Sequence, residues 1–368
     1  MARDNKNMHK AKSEKNDEFY TLLTDIEKEM KYYKEQFKDK VVYCNCDDAR
    51  ESNFFKYFSM NFEHLGLKRL ITTSYNANGK GTILIYEGDK NGNKQVDDEE
   101  IIVKELSGNG DFRSEECLQI LQESDIVVTN PPFSLFREFI NILMDFNKKF
   151  CIIGNQNAIT YKDVFKHIKD GNLWLGISMN GSNRYFQMPE HYPMTEKTCK
   201  IENGKKYAFV NGVVWFTNLV TNKAENAPTL IKKYNPIDYP TYDNYDAINV
   251  NKVTDIPYDY DGVVGVPITA IHKICDDGLL HFDTPMRTER EREDMKSSSS
   301  EREMMIRTCQ SMERHHTSES SLSRYKILDC NDYRKPHMKI KEQMLVKDKD
   351  SAINGKPIYA RILIQRVN

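Results

Sequence analysis

The pattern of apolar and polar positions predicts that the ordered chain begins near Asp17. Residues 1–16 are polar and show no periodicity, so we expect a mobile N-terminus there. Apolar side chains then recur at the spacing of one helix face, at Leu22, Leu23, Ile26, Met30 and Tyr33. A helix should therefore precede the first strand.

Apolar runs of strand length alternate with helical stretches over the first half of the chain. The runs cover residues 40–46, 69–74, 83–86, 101–104, 124–129 and 150–154. Helical spacing covers residues 52–65, 117–121 and 136–146. This alternation predicts an α/β fold with parallel strands, which later apolar runs at residues 173–177 and 212–218 would complete. Turn-forming residues join the runs at 83–86 and 101–104, which predicts a hairpin.

The loop of this hairpin has the ligand spacing of a calcium-binding EF-hand loop. The matching residues are Asp89, Asn91, Asn93, Asp97 and Glu100. The sixth position, which needs glycine, holds Lys94, and strands rather than helices flank the loop. We interpret the loop as a plain turn.

The eight cysteines are dispersed, without the CxxC spacing of a zinc site. Cys44 and Cys46 can share one face of a strand, but no further Cys or His cluster follows to complete a metal site. We therefore expect no metal.

Acidic and basic residues nearly cancel over the 368 residues, leaving a formal net charge of −2. Contact with a polyanion would therefore depend on local basic patches rather than on an overall positive field. The start of the chain has no apolar core of signal-peptide type, and no apolar run approaches the roughly 18 residues that span a bilayer. We expect a cytoplasmic protein.

Composition changes sharply at residues 284–323, where Arg, Glu, Ser and Met dominate and Ser297–Ser300 form an unbroken run. Both charge signs are interleaved, which is typical of a solvated helix or a flexible insertion. Strand-like sequence returns at Tyr325 and again at residues 359–364.

One tetrapeptide, Asn130-Pro131-Pro132-Phe133, lies at the predicted carboxyl end of a strand and carries candidate chemistry. The exocyclic amine of adenine is a poor nucleophile, because its lone pair is delocalised into the ring. The Asn130 side-chain oxygen and the Pro131 carbonyl can accept both N–H bonds, while the prolines fix the backbone. Phe133 can stack on the base, which must first be flipped out of a duplex. These four residues are our candidate catalytic residues.

At this point the sequence resembles the EcoRI-type adenine-specific DNA methyltransferases over most of its length. The matching segments begin at Asp17 (Asp-Glu-Phe-Tyr-Thr), Val42, Ser52, Gly110 (Gly-Asp-Phe), Asp125, Trp215, Tyr245, Gly262 and Asn354. The resemblance implies a Rossmann-like methyltransferase fold that binds S-adenosylmethionine, with a C-terminal target-recognition region. Residues 17–225 would form the catalytic domain and residues 226–368 the C-terminal region.

The same resemblance implies which residues bind the cofactor. Asp17, Phe19 and Tyr20 would lie on its methionine side, and Asp47 and Asp48 in the turn after the first strand. Asp111 and Phe112 would lie near its adenine. Each has a structural alternative, since acidic residues after strands often cap helices and aromatic residues are often core. No acidic residue ends the second strand at 71–74, so the partner of the cofactor ribose is unidentified.

Two other methyl acceptors fit the same cradle: the side-chain amide of protein glutamine, modified at N5, and N4 of cytosine. Glutamine methyltransferases favour tyrosine after the prolines and a glycine-rich cofactor turn, and the cytosine enzymes often have serine in place of Asn130. A nonenzymatic DNA-binding protein is the alternative from another class. Adenine N6 is the interpretation we favour. The expected partners are duplex DNA and, in restriction-modification, a cognate restriction endonuclease, with the protein itself a monomer.

Overall fold

The computed structural model describes residues 20–46, 52–188, 199–221, 223, 227–243, 245–275, 279–285, 320–328, 352–354, 356–357 and 361–367. The chain forms two compact units, Met1–Thr221 and Asn222–Asn368. The N-terminal prediction for residues 1–16 lies outside the described residues, as does most of the predicted insertion at 284–323.

The first unit contains six helices and nine strands in its described residues. The helices are α1 (Leu23–Met30), α2 (Asn53–Met60), α3 (Phe62–Leu65), α4 (Glu115–Glu123), α5 (Phe136–Asp145) and α6 (Lys162–Lys169). The strands are β1 (Val41–Cys44), β2 (Arg69–Ser74), β3 (Thr82–Tyr86), β4 (Ile101–Glu105), β5 (Ile126–Thr129), β6 (Lys149–Asn155), β7 (Trp174–Gln187), β8 (Cys199–Glu202) and β9 (Lys205–Thr217). Short 3-10 helices occur at Lys34–Gln36, Asp98–Glu100 and Gln156–Thr160.

The nine strands form one mixed sheet in the order β4-β3-β2-β1-β5-β6-β9-β7, with β8 paired to β9. Its centre, β2-β1-β5-β6, is parallel. The β3–β4 hairpin adds antiparallel to β2, and β9 lies antiparallel between β6 and β7. The predicted α/β class and the predicted hairpin are confirmed.

The centre of the sheet contains a topological switch point between β1 and β5. The chain leaves β1 for β2 on one side, whereas β5 is followed by β6 on the other. The register pairs Val42 with Ile126 and Tyr43 with Val127, so both strands end at the same edge. Such a crevice is where open α/β sheets bind their ligands.

The sequence pattern predicts one helix over residues 52–65, but the structure has two. Ser52 caps α2, its hydroxyl accepting the N–H of Phe54 at 3.1 Å. At Asn61 the backbone leaves helical geometry, and the side-chain amide donates to the Tyr57 carbonyl at 2.8 Å. Such local side-chain bonds compete with the helical ladder, which explains the break.

Helix α1 is joined to β7 by the fully buried carboxylate of Glu29. It accepts the backbone N–H of Ile177 at 2.9 Å and that of Ser178 at 2.6 Å. It also accepts the hydroxyl of Tyr33 at 2.6 Å, whose pKa is raised by burial. The β7–β9 pairing is irregular after Leu175, so the Glu29 carboxylate accepts backbone N–H groups that have no partner in the described strands of the sheet.

The second unit holds a five-stranded sheet in the order β10-β11-β16-β13-β12. Its strands are β10 (Ile248–Asn249), β11 (Val264–Pro267), β12 (Leu280–Pro285), β13 (Ser320–Ile327) and β16 (Arg361–Val367). A small pair, β14 (Ala352–Ile353) and β15 (Lys356–Pro357), and 3-10 helices at Val253–Asp255 and Ile268–Lys273 complete the described elements. Both ends of the predicted insertion belong to paired strands: β12 and β13 are antiparallel, with Pro285 opposite Ser320. Strand structure thus covers residues 284–285 and 320–323 at the two ends of the predicted segment.

Within the described residues, no helix is long and apolar enough to cross a membrane.

Candidate active site

The tetrapeptide begins directly after β5, at the switch point of the sheet. Thr129 is fully buried and its hydroxyl donates to the backbone carbonyl of Asn45, which follows β1. This bond joins the carboxyl ends of the two central strands. Asn130 comes next and is 6% exposed, so its amide lies in a largely water-excluded environment.

The two prolines and Phe133 turn the chain from β5 into α5. The N–H of Leu135 donates to the Pro132 carbonyl at 3.0 Å, and that of Phe136 to the Phe133 carbonyl at 3.5 Å. Pro131 is buried, while Phe133 is half-buried and packs against the apolar core. Phe133 therefore has one side on the protein and another exposed to solvent.

A second loop lies over the carboxyl end of β2. Gly110 has φ +80°, and a Cβ there would collide with the carbonyl oxygen of Ser74, the last residue of β2. Only glycine lets the loop approach so closely. Phe112 is 7% exposed and packs edge-on against Phe139 of α5, with ring centroids 5.0 Å apart.

Asp111, in the same loop, is held by Arg113. The Nε of Arg113 donates to one carboxylate oxygen at 2.8 Å and Nη2 donates to the other at 2.6 Å. The backbone N–H of Arg113 also donates to Asp111, at 2.9 Å, and Nη1 reaches Glu138 at 3.2 Å. The bond to Asp111 raises the pKa of Arg113, which keeps the guanidinium charged.

Tyr20 is tied to the edge of the sheet. Its N–H donates to the Gln187 carbonyl at 2.8 Å, and the Gln187 N–H returns a bond at 3.1 Å. The next carbonyl, that of Thr21, accepts from the Asn53 amide at 2.7 Å. Tyr20 and Thr21, the first residues that the structure describes, are thus fixed to β7 and to the first turn of α2.

The structure brings Asn130 to the switch point and places the Asp111 loop over β2, two strands along the same edge. The other predicted cofactor residues, Asp17, Phe19, Asp47 and Asp48, lie outside the described residues. Two polar residues of this region, Arg113 and Asn45, were not predicted from the sequence. Arg113 follows Asp111 by two residues, in the same turn. Asn45 is a polar residue at the end of an apolar run, and this pattern could have identified Asn45 as a candidate.

The alternative metal site at Cys44 and Cys46 gains no support in the described part of the chain, where no group of three or more His, Cys, Asp or Glu side chains could hold a metal ion. Strand β1 ends at Cys44, and Cys46 has a left-handed backbone with φ +66°. The alternation that would put both thiols on one face therefore stops between them.

The switch-point crevice fits a nucleoside cofactor. Asn45 is 3% exposed and, among the described residues, its side-chain oxygen has no hydrogen-bond partner. A buried polar atom in this condition calls for a ligand or water to complete it. The loop over β2 places the carboxylate of Asp111 on one side of β1, and Asn130 follows β5 on the other side.

A mixed sheet with its switch point between β1 and β5, and Asn-Pro-Pro-Phe at that point, define a Rossmann-like methyltransferase, a class that takes its methyl group from S-adenosylmethionine. The chain belongs to the EcoRI family of adenine-specific methyltransferases, whose family model, described as adenine-specific methyltransferase EcoRI, matches residues 7–367. The predicted family and enzyme class are confirmed.

Curated relatives agree with this assignment. The chain is 50% identical over 286 residues to the type II methyltransferase M.EcoRI of Escherichia coli, covering 74% of this chain and 88% of that protein. It is 39% identical over 269 residues to the type II methyltransferase M.MpnI of Mycoplasma pneumoniae, covering 72% and 81%. It is 38% identical over 270 residues to the type II methyltransferase M.MgeORF184P of Mycoplasma genitalium, again covering 72% and 81%.

Proposed function

We propose that this protein methylates N6 of a specific adenine in duplex DNA, using S-adenosylmethionine, as the modification enzyme of a type II restriction-modification system. The observation that carries the proposal is the position of Asn130-Pro131-Pro132-Phe133 directly after β5, at the switch point. The family is adenine-specific, and the relatives named above are type II methyltransferases.

Asn130 and Pro131 would act on the target amine. The side-chain oxygen and the backbone carbonyl accept its two N–H bonds, which directs the nitrogen lone pair away from the base plane and out of conjugation. Burial of Asn130 strengthens these bonds, since little water competes for them. Pro131 and Pro132 have no N–H, so they add no competing donor.

Phe133 would hold the extruded base. An adenine inside a duplex cannot reach the cradle, so it must leave the stack. The half-buried ring of Phe133 packs against the core, keeps part of its surface exposed and follows Asn130 by three residues. A stacking contact of this kind offsets part of the cost of unstacking.

The cofactor, when bound, supplies an electrophilic methyl group on sulfur. The residues we propose to hold it are Asp17, Phe19 and Tyr20 near the start of the chain, Asp47 and Asp48 after β1, and Asp111 and Phe112 in the loop over β2. Transfer forms the N6–carbon bond, breaks the sulfur–carbon bond and releases one proton from N6 to water. The chain needs no metal for these steps, because the lone pair of the amine forms the new bond directly and the sulfonium sulfur leaves as a neutral thioether.

A label-transfer assay tests the proposal. Purified protein is incubated with tritiated S-adenosylmethionine and unmethylated duplex DNA in the presence of EDTA, and the DNA is then digested to nucleosides. We expect the label in N6-methyldeoxyadenosine, at one sequence context. Label in N4-methylcytosine, or in protein instead of DNA, would overturn the assignment.

A further inference from the structure

Asn45 is a buried polar residue to which the proposed mechanism gives no task. It directly follows the last residues of β1, is 3% exposed, and its side-chain oxygen has no hydrogen-bond partner among the described residues. Its backbone carbonyl is engaged by the Thr129 hydroxyl, which fixes the residue in place. Burying an amide oxygen without a partner destabilises the folded chain, so a ligand that completes it is the physical expectation.

The order of the central strands indicates which part of a ligand would reach Asn45. Three adjacent strands end at one edge: β2 under the loop of Asp111, β1 at Asn45, and β5 at Asn130. A cofactor with its adenine at the Asp111 loop and its methyl group at Asn130 must cross the end of β1 between them. In S-adenosylmethionine, the ribose lies between the adenine and the sulfur.

We propose that Asn45 binds the ribose of the cofactor, its side-chain oxygen accepting a hydrogen bond from a ribose hydroxyl. This inference rests on the proposed function for the identity of the cofactor. It also accounts for the absence of an acidic residue at the end of β2, where residues 71–74 are Ile-Thr-Thr-Ser. The acceptor is supplied one strand away instead.

The test measures binding rather than turnover, with S-adenosylhomocysteine as the probe and isothermal titration calorimetry as the method. Asn45→Leu keeps the branched shape of the side chain but removes the oxygen. We expect its affinity to fall about 10-fold, within the range for losing a hydrogen bond to a buried partner. Asn45→Asp, which keeps an acceptor oxygen, should bind more tightly than Asn45→Leu.

Probes that lack one ribose hydroxyl make the test specific. The 2′-deoxy and 3′-deoxy forms of S-adenosylhomocysteine should each be titrated against wild type and Asn45→Leu. With the analogue that lacks the bonded hydroxyl, the two proteins should bind equally, since the interaction is already gone. If Asn45→Leu weakens both analogues as much as it weakens the parent compound, the ribose contact is refuted.

Thermal unfolding without ligand separates this role from a structural one. Asn45→Leu should unfold at the same temperature as wild type or higher, because it removes a buried amide oxygen that has no partner among the described residues. Thr221→Val is the matched control. The Thr221 hydroxyl is also buried without a partner among the described residues, but it follows β9 near Asn218, which pairs with Phe150 at the opposite edge of the sheet. Thr221→Val should also unfold at the wild-type temperature or higher, and it should leave the affinity for S-adenosylhomocysteine unchanged.

The outcomes distinguish this inference from the proposed function. Equal binding of S-adenosylhomocysteine by wild type and Asn45→Leu overturns the inference alone, if the label-transfer assay still yields methyladenine. Asn45-dependent binding without methyladenine overturns the proposed function alone. A wild type that does not bind the probe refutes both. Should Asn45→Leu fail to fold, Asn45→Ala replaces it in every comparison.

Discussion

Arg113 engages both carboxylate oxygens of Asp111, through Nε at 2.8 Å and Nη2 at 2.6 Å. A bidentate pair of this kind fixes the orientation of the carboxylate as well as its charge. Asp111 is the residue we expect at the adenine of the cofactor, so Arg113 would set the angle at which that carboxylate is presented.

Replacing Arg113 tests this arrangement. The side chains of the pair are 41% and 25% exposed, and such pairs contribute about 0.2 to 1 kcal/mol, so Arg113→Met should weaken S-adenosylhomocysteine binding about 1.4- to 5-fold. Arg137→Met, which removes a similar pair with Asp163, is the control and should not change the affinity. Tighter binding by Arg113→Met would instead mean that Arg113 competes with the cofactor for Asp111.

Asn130→Ala should cut methyl transfer by about 100-fold or more, as expected for losing a preorganised acceptor in a buried site. Affinity for S-adenosylhomocysteine should change much less. Single-turnover rates and calorimetry measure the two quantities. Asn218→Ala, which removes a partly buried Asn that bonds Phe150 and Lys148, should lower stability and leave the rate per folded molecule intact. Near-normal turnover by Asn130→Ala would mean that the motif has another role.

Phe133 should show two effects, because it is half-buried and also packs on the core. Phe133→Ala should weaken binding of the extruded base by about 1 to 3 kcal/mol, and Phe133→Tyr and Phe133→Trp should stay active. Phe133→Ala should lower the free energy of unfolding by less than the roughly 3 to 5 kcal/mol that truncation of a fully buried phenylalanine costs. Melting temperature and 2-aminopurine fluorescence at the target position measure the two effects.

Phe139→Ala is the matched control for Phe133, since Phe139 is 1% exposed in the adjacent helix and contacts Phe112. It should unfold at a lower temperature than Phe133→Ala and give normal 2-aminopurine fluorescence per folded molecule. A Phe133→Ala protein that is badly destabilised yet flips the probe normally would refute the stacking role.

His272 should make stability depend on pH. Burial, with smaller contributions from Lys223 and Lys273, lowers its pKa from 6.5 to about 4. Between these values the unfolded chain binds a proton that the folded chain does not, so stability is full above pH 6.5 and falls as the pH drops toward 4. The loss can reach about 3 kcal/mol. Denaturant unfolding of wild type and His272→Gln from pH 7 to pH 4 should show a free-energy difference that changes with this sign; a constant difference would exclude it.

Calcium should not stabilise the protein, although the β3–β4 loop has EF-hand spacing. In the structure the Asp89 carboxylate accepts backbone N–H groups of Gly92 at 2.6 Å and Lys94 at 2.7 Å. Asp97 accepts the side-chain amides of Asn91 at 2.8 Å and Asn93 at 2.7 Å. The candidate ligands are thus used within the turn. Melting temperatures in EDTA and in excess calcium should agree, whereas an ion present at 100 times its Kd would add about 2.7 kcal/mol.

The elements that sequence analysis predicted well are those set by local patterns. Strand β2 spans Arg69–Ser74, as predicted, and the hairpin follows from two apolar runs and a turn-rich loop. The break at Asn61 was missed because it depends on one side chain competing for one carbonyl. Asn130 was placed at a strand end from its neighbours alone. The ion pair between Arg113 and Asp111 depends on side-chain rotamers, and the position of the Asn45 side-chain oxygen, without a partner in the described part of the chain, depends on strand order. Hydrophobic periodicity in the sequence encodes neither.

The bonds from Glu29 to Ile177 and Ser178 join residues that are 148 and 149 positions apart in the chain. At about 5 to 20 residues per second, a ribosome would make Glu29 roughly 7 to 30 s before its partners. During that interval the Glu29 carboxylate remains hydrated, and helix α1 cannot make its contact with β7. Synthesis of β7 thus sets the earliest moment at which this edge of the sheet can close, and a chain that loses α1 would leave the N–H groups of Ile177 and Ser178 without their acceptor.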